Sequence, residues 1–348
     1  MVTLVLLGTL AVLILANIPI SVALGLSSAV TLLYTGFPLT SIPSILQATV
    51  QKFSLLTIPL FVLAGAIMDK GGISKRLINL ANSMIGPVHG GLGYVSVVAA
   101  MFFAAISGSG TATVAAMGSI LIPAMIKQKY DPAFASALSA ISGSLGTFII
   151  YGMITGESIS NLFLSGIIPG CIFALMLCVT VFIKATKNGW KSEEARATGK
   201  EIWKCFADAF WGLMSPVIVL GGIYSGIFTP TEAASVAVIY SVFVGVVIYR
   251  ELTVDMLRKA LFETSKTTGI ILLIIMNAGV FSWVLTQQGI AAQLTELALS
   301  LTTNKYIMLI VINIIFLIAG CVMDNTSAMY ILVPIIMPIA QALGINMV

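Results

Sequence analysis

Apolar residues form long blocks along the whole chain, and short polar segments separate these blocks. A membrane-spanning helix needs about 20 predominantly apolar residues. Several blocks approach or exceed this length and predict membrane helices: Val2–Tyr34, Leu56–Met68, Ile168–Ile183, Phe210–Ile227, Ala233–Tyr249 and Gly269–Leu285. Asn17-Ile-Pro19 interrupts Val2–Tyr34, which therefore predicts either one tilted helix or a short lead-in followed by a span. Val2–Ala16 has neither a basic region before it nor a small-residue cleavage site, so we expect a retained segment rather than a signal peptide.

Three further apolar segments carry a polar or glycine-rich break in the middle. Such breaks are tolerated at membrane depth only where the backbone is buried or lines a cavity. The first and third predict helical hairpins that return to their own side, and the second predicts a broken helix that crosses. In chain order, the segments and their breaks are Gly91–Lys127 at Ser107–Thr113, Asp131–Gly152 at Ser142–Gly146, and Tyr306–Ala342 at Asp324–Ser327.

The two halves of the chain resemble each other at a separation of roughly 215 residues. Gly72-Ile73 matches Gly289-Ile290, and Pro19 matches Pro230. An odd number of predicted crossings precedes the second half, so the repeat is inverted, as in many secondary transporters. The predicted division is a first repeat 1–150 with hairpin 91–127 and broken helix 131–152, connecting helices 151–228 with a basic loop 184–204, and a second repeat 229–348 with hairpin 306–342, incomplete at its end.

Composition supports one membrane domain. Hydrophobic residues make up 59% of the chain and charged residues only 9%, whereas soluble domains carry about 25% charged residues. If residue 1 is cytoplasmic, all of the 17 lysines and arginines except Lys52 and Lys305 fall on the cytoplasmic side, as the positive-inside rule expects. The first hairpin then enters from the cytoplasm and the second from outside. The basic residues therefore report topology and predict no nucleic-acid partner.

Hydroxyl groups and glycines at the breaks are candidates for a binding site. Hydroxyl and carbonyl oxygens are hard ligands suited to a small alkali cation, and the start of the following helix favours an anion. The alternative is close packing of small residues between helices. The candidate substrate- and cation-binding residues that this reasoning gives are Ser107, Gly108, Ser109, Gly110, Thr111, Thr113, Asp324, Asn325, Thr326 and Ser327.

Some polar residues have structural alternatives. Asp324 is costly inside a membrane, so it is a candidate to bind a cation, carry a proton or cap the helix that follows. Thr229 and Glu232 have the spacing of a capping box. Trp190 and Trp203, near basic residues, are interpreted as interfacial anchors. We find no motif for ATP hydrolysis or covalent catalysis, so the sequence predicts no enzyme.

Four runs of residues resemble the large membrane subunit of tripartite ATP-independent periplasmic (TRAP) transporters, which belong to the ion transporter superfamily. These runs are Ala105–Ser119, Thr57–Gly65, Gly221–Ala234 and Leu332–Pro338. The similarity extends over nearly all of the chain. It is closest to the subtype whose small membrane subunit is a separate polypeptide.

The resemblance implies a sodium-coupled importer of an organic acid, with sialic acid favoured over a C4-dicarboxylate. Its partners would be the small membrane subunit, a periplasmic substrate-binding protein and membrane lipid, in the bacterial inner membrane with the N-terminus in the cytoplasm. It implies an elevator motion and two or more sodium ions, held at Ser107, Ser109, Gly146, Asp324 and Thr326. Carried over by position, the resemblance also adds Ser142, Gly143, Ser144 and Gly146 to the candidate substrate- and cation-binding residues. The alternatives are a channel-like pore and a non-transporting structural subunit of a membrane complex.

Two features depart from the family pattern. The family's broken helices carry a double-proline loop, but Gly146–Ile150 has no proline. A second broken helix would follow Val348. We interpret both departures as residues omitted from the sequence as given.

Overall fold

The computed structural model describes residues 1–107, 110–143, 148–190, 197–323 and 325–348. These residues form helices joined by short connections, and no strand occurs among them. Within this described part, five helices are long and apolar enough to cross a membrane: Phe53–Lys70, Ile159–Asn188, Gly199–Tyr224, Pro230–Ile248 and Val254–Gln287. The prediction of an all-α polytopic membrane protein is confirmed.

The α-helices follow one another closely along the chain. Residues Phe53–Leu56 form a 3-10 turn before α4, and Val244–Ile248 form a π-helical turn after α12. In chain order the helices are α1 Val2–Leu15, α2 Ile20–Thr35, α3 Ser41–Val50, α4 Thr57–Lys70, α5 Ile73–Ile85, α6 Gly91–Ser107, α7 Gly110–Lys127, α8 Pro132–Gly143, α9 Phe148–Thr155, α10 Ile159–Asn188, α11 Gly199–Tyr224, α12 Pro230–Phe243, α13 Val254–Gln287, α14 Ile290–Leu301, α15 Lys305–Val322 and α16 Asn325–Ala342.

The contacts divide the chain into two compact units. Unit 1 comprises Met1–Leu55, Ile150–Ser158 and Thr267–Val348, and unit 2 comprises Leu56–Ile149 and Ile159–Lys266. Helix α13 contributes its first residues to unit 2 and the remainder to unit 1. Because this division follows contacts and the predicted repeats follow symmetry, the repeat boundaries stay a prediction.

Several helices are longer than the apolar blocks that predicted them. Helices α10, α11 and α13 extend past the apolar region because a helix continues wherever its backbone bonds can form, and hydropathy detects only the apolar part. At the start of α11, Thr198 and Glu201 form a capping box: the Glu201 N–H donates to Thr198 Oγ1 at 3.4 Å and the Thr198 N–H donates to Glu201 Oε2 at 2.7 Å. The T-x-x-E signal for this start is visible in the sequence.

The first apolar block is two helices rather than one. Helix α1 ends at Leu15 and α2 begins at Ile20. Asn17 has φ 60°, which is the left-handed region that asparagine tolerates better than most residues. Pro19 then precedes α2, where its fixed φ suits a helix start. The Asn17-Ile-Pro19 interruption therefore ends one helix and starts the next.

In unit 2, helix α4 packs against helix α12. Thr57 at the start of α4 and Thr231 at the start of α12 are both buried, and their hydroxyl oxygens lie 2.7 Å apart. The predicted capping box at Thr229 is confirmed: the Thr229 N–H donates to Glu232 Oε2 at 2.8 Å and the Glu232 N–H donates back to Thr229 Oγ1 at 3.4 Å. The box thus fixes the first turn of α12, which carries Thr231.

We expect Thr57→Val to destabilise the protein by about 1 kcal/mol, because it leaves the Thr231 hydroxyl buried without its partner. Thr231→Val should do the same, and the double variant should cost less than the sum of the two single changes. Unfolding in mixed detergent micelles measures this coupling. Thr180→Val, on an exposed residue that bonds only to its own helix, is the control and should change little. Strictly additive costs would contradict the coupling.

Polar contacts hold the start of helix α5. The Arg76 guanidinium donates to Glu251 at 2.7 Å, lies 3.8 Å above the Tyr249 ring centroid and donates to the Gly72 carbonyl at 3.0 Å. At this same end α5 packs on α11, where a methyl group at Gly212 would lie 3.0 Å from an Ile73 side-chain carbon. Small residues at such positions let membrane helices approach closely. Helix α5 includes the amphipathic stretch Ser74–Met84.

Trp190, just after helix α10, is buried with 6% of its surface exposed. Its ring stacks on Tyr130 at 4.4 Å between centroids and lies 5.1 Å from Phe134. The Gly90 N–H donates to the Trp190 carbonyl at 3.1 Å. The interpretation of Trp190 as an interfacial anchor is therefore wrong, because its aromatic surface is buried against neighbouring segments of unit 2. Trp203 remains 70% exposed, as an anchor requires.

In unit 1, helix α13 packs closely against helices α2 and α3. Gly25 on α2 faces Asn277 on α13, where an added methyl group would collide with the Asn277 amide. A methyl group at Gly279 on α13 would lie 2.5 Å from Thr49 Oγ1 on α3. Helix α16 packs against both α14 and α15.

Candidate functional site

The first candidate site lies in unit 2, where helix α6 ends at Ser107 and helix α7 begins at Gly110. The two helices pack against each other, and the break between them falls where the sequence places it. Gly108 and Ser109 lie outside the described residues, as do the side chains of Ser107 and Thr111. The return of this hairpin to its own side of the membrane stays a prediction.

Helix α8 lies beside this break. The short connection 128–131 reverses the chain between α7 and α8, and the two helices pack together. At 1.5 Å per residue, α7 is about 27 Å long and α8 about 18 Å, so the end of α8 returns towards the first half of α7. Thr113 on α7, and Ser142 and Gly143 at the end of α8, are all buried. Ser144 and Gly146 lie outside the described residues.

The helix ends at this break favour ions of both signs. Helix C-termini carry partial negative charge, and helices α6 and α8 end at Ser107 and Gly143. Helix α7 begins with the partial positive charge of its free N–H groups. Ser142 donates to its own helix at Ser139 O, 3.2 Å away, so its oxygen lone pairs stay available as acceptors. The available ligand atoms are hard oxygens, which suit a small alkali cation.

The second candidate site lies in unit 1, where helix α15 ends at Val322 and helix α16 begins at Asn325. Asp324 and the side chain of Thr326 lie outside the described residues. Asn325 is exposed and Ser327 is buried, on the first turn of α16. In the sequence Asp324 is the residue before Asn325, the first residue of α16, and such a position suits a helix cap as well as a cation ligand or a proton carrier.

Unit 1 also contains a cavity of about 370 Å³ that sequence reasoning missed. It is lined by residues of α3, α9, α13 and α16 together with the segment before α4. Lys52 is the one charged residue among the described residues that line it, and Thr49, Ser54, Ser282, Thr286 and Tyr330 bring hydroxyl groups. One feature of the sequence could have indicated this cavity, because Lys52 is one of only two basic residues that the predicted topology assigns to the outer side. No feature of the sequence singles out Tyr330.

The described helices define a polytopic α-helical membrane protein, with polar breaks inside its apolar segments. A family model described as the tripartite ATP-independent periplasmic transporter, DctM component, matches residues 7–348. The chain therefore belongs to the family of large permease subunits of TRAP transporters, and the resemblance stated from its motifs is confirmed.

Relatives of known designation agree. The chain is 37% identical to the C4-dicarboxylate TRAP transporter large permease protein DctM of Rhodobacter capsulatus, over 99% of this chain and 83% of the relative. It is 36% identical to the sialic acid TRAP transporter large permease protein SiaM of Vibrio cholerae, over 85% of this chain and 71% of the relative. It is 37% identical to the isethionate TRAP transporter permease protein DctMQ of Oleidesulfovibrio alaskensis, over 98% of this chain but only 55% of that longer protein.

Proposed function

We propose that this chain is the large membrane subunit of a sodium-coupled secondary transporter that imports an organic acid across the bacterial inner membrane. The observation that carries the proposal is the match of the family model to residues 7–348. Buried hydroxyl groups beside two helix breaks add a local reason, because such groups offer oxygen ligands to sodium within an apolar environment.

We further propose that the chain contains an inverted repeat and works as an elevator. Local structure recurs at positions that the sequence aligns. Helices α5 and α14 each follow a glycine in the left-handed region, Gly72 at φ 79° and Gly289 at φ 64°. Ile73 and Ile290, the next residues, are fully buried. Each of these helices is followed by a pair of packed helices with a polar break between them.

The partners proposed are a small membrane subunit and a periplasmic binding protein that delivers the acid. The relative designated DctMQ is a longer chain, of which this one covers 55%, and this supports a second membrane component. We propose a cytoplasmic N-terminus, which the distribution of lysine and arginine along the sequence supports. The relatives' names include isethionate, C4-dicarboxylate and sialic acid. As the transported acid we propose sialic acid first and a C4-dicarboxylate second.

Reconstitution tests this function. Proteoliposomes that contain the chain and its small subunit should accumulate N-acetylneuraminate or succinate only when the cognate binding protein and an inward sodium gradient are both present. A potassium gradient of equal size is the control. Uptake that ignores both the sodium gradient and the binding protein would favour a channel. The absence of any uptake, with the complex intact, would favour a structural subunit.

A further inference from the structure

We propose that the cavity of unit 1 binds the organic acid, with its carboxylate on Lys52, and that it selects a hydroxylated monocarboxylic acid. This inference rests on the proposed transport of an organic acid and adds a site and a substrate class to it. A volume of about 370 Å³ lies within the range of cavities that hold small ligands, roughly 300–1,000 Å³. Because all lining residues belong to unit 1, the site is formed within one compact part.

The charge of the cavity indicates the charge of its ligand. Lys52 is the one charged residue among the described lining residues. A lysine ammonium group binds a carboxylate as a compact positive charge. One cation neutralises one carboxylate, and a second carboxylate in the same cavity would lose part of its hydration without gaining a cationic partner. A dicarboxylate is therefore expected to bind less well than a monocarboxylate of similar size.

The Tyr330 hydroxyl can donate a hydrogen bond, but no acceptor faces it among the described residues. Tyr330 is 5% exposed and lines the cavity, and its hydroxyl oxygen is buried with no hydrogen-bond partner in the described part of the chain. A buried polar group without a partner is costly, and native structures satisfy most such groups. A ligand oxygen in the cavity would supply the missing acceptor.

Two other hydroxyls in the cavity, those of Thr49 and Thr286, favour a ligand that can donate hydrogen bonds to them. Thr49 Oγ1 donates to Ile45 O at 2.8 Å and Thr286 Oγ1 donates to Ser282 O at 3.0 Å. Each hydroxyl proton is thus directed to its own helix, which leaves oxygen lone pairs as acceptors. A carboxylate cannot donate to them, but the hydroxyl groups of a sugar-like acid can. The combination of one ammonium group, the Tyr330 hydroxyl as a donor and the Thr49 and Thr286 oxygens as acceptors matches one carboxylate and several hydroxyls.

The test uses the purified complex in sodium-containing buffer, with gluconate as the hydroxylated monocarboxylate and succinate as the dicarboxylate. Binding is measured by calorimetry and by quenching of Trp283, which lines the cavity; Trp283→Phe identifies that signal. We expect gluconate to bind at least roughly tenfold more tightly than succinate. Failure of wild type to bind gluconate, or tighter binding of succinate, would overturn the proposal.

Matched variants test the assigned residues. Lys52→Gln should weaken gluconate binding roughly 10- to 100-fold, because it removes a charge-assisted contact, and Lys52→Arg should restore part of it. Tyr330→Phe should weaken binding roughly 2- to 10-fold. Lys305→Gln removes the other outer-side lysine, which lies away from this cavity, and should change binding less than about twofold. Equal effects of Lys52→Gln and Lys305→Gln would overturn the assignment.

The two proposals fail in different ways. Sodium-driven uptake with unaltered KM in Lys52→Gln and Tyr330→Phe would reject the cavity and leave transport intact. Binding that depends on Lys52, in a complex without sodium-driven uptake, would reject the transport function and leave the cavity as a binding site.

Discussion

Replacing Trp190 by alanine is expected to lower the free energy of unfolding by about 3–5 kcal/mol, the usual cost of removing a large buried aromatic side chain. Trp190 is 6% exposed, and its ring contacts Tyr130 at 4.4 Å and Phe134 at 5.1 Å between centroids. The substitution leaves a cavity between the end of α10, the connection after α7 and the start of α8. Unfolding of the purified protein in mixed detergent micelles measures the loss.

Trp203→Ala provides the matched control, since it removes the same side chain from a position that is 70% exposed. Its cost should stay within about 0.5 kcal/mol. Trp190→Phe should fall between wild type and Trp190→Ala, because a smaller ring keeps part of the aromatic contact. Equal free energies of unfolding for Trp190→Ala and Trp203→Ala would contradict a stabilising role for the contacts of Trp190 with Tyr130 and Phe134.

The different burial of Trp190 and Trp203 could not be predicted from the sequence. Trp190 and Trp203 both lie near basic residues in the sequence, so local sequence predicts the same role, an interfacial anchor, for both. They differ because Tyr130 and Phe134, some 60 residues earlier, fold back onto one of them and not onto the other. Such contacts depend on tertiary packing, which overrides local preference. The ion pair of Arg76 with Glu251 belongs to the same class.

Features with a local cause were predicted well. The helix breaks near Ser107–Thr113 and Ser142–Gly146 are visible as polar residues within apolar segments, and helices end and begin on either side of them. The Thr229 capping box follows from spacing alone. Helix lengths were underestimated, because the polar ends of α10, α11 and α13 give no hydropathy signal.

The candidate site was predicted only in part. Sequence reasoning located hydroxyl groups at the breaks, and the structure buries Thr113, Ser142 and Ser327 there. It missed the cavity with Lys52 and Tyr330, because residues 52 and 330 approach one common space only through the packing of α3, α13 and α16. The unpartnered hydroxyl of Tyr330 has no signature in a sequence.

Removing the hydroxyls of the first break should reduce sodium-dependent uptake more strongly than any other change proposed. The combined variant Ser107→Ala, Ser109→Ala and Thr111→Val keeps side chains of similar size but removes the three hydroxyl groups that we propose as sodium ligands. A contact between a polar group and an ion is worth roughly 10- to 100-fold in affinity. We therefore expect the sodium concentration for half-maximal uptake in proteoliposomes to rise at least roughly 100-fold, or uptake to be lost.

Ser119→Ala is the control, because Ser119 lies on the same helix α7 but is exposed. It should leave the sodium dependence unchanged. A loss of folding would also abolish uptake, so the thermal stability of each variant and its retention of the small subunit are measured alongside. A stable combined variant whose uptake keeps the wild-type sodium dependence would show that the first break packs small residues together and binds no sodium. Close packing of small residues between helices would then explain the glycines and serines of this break, because such packing requires small side chains but no oxygen ligand.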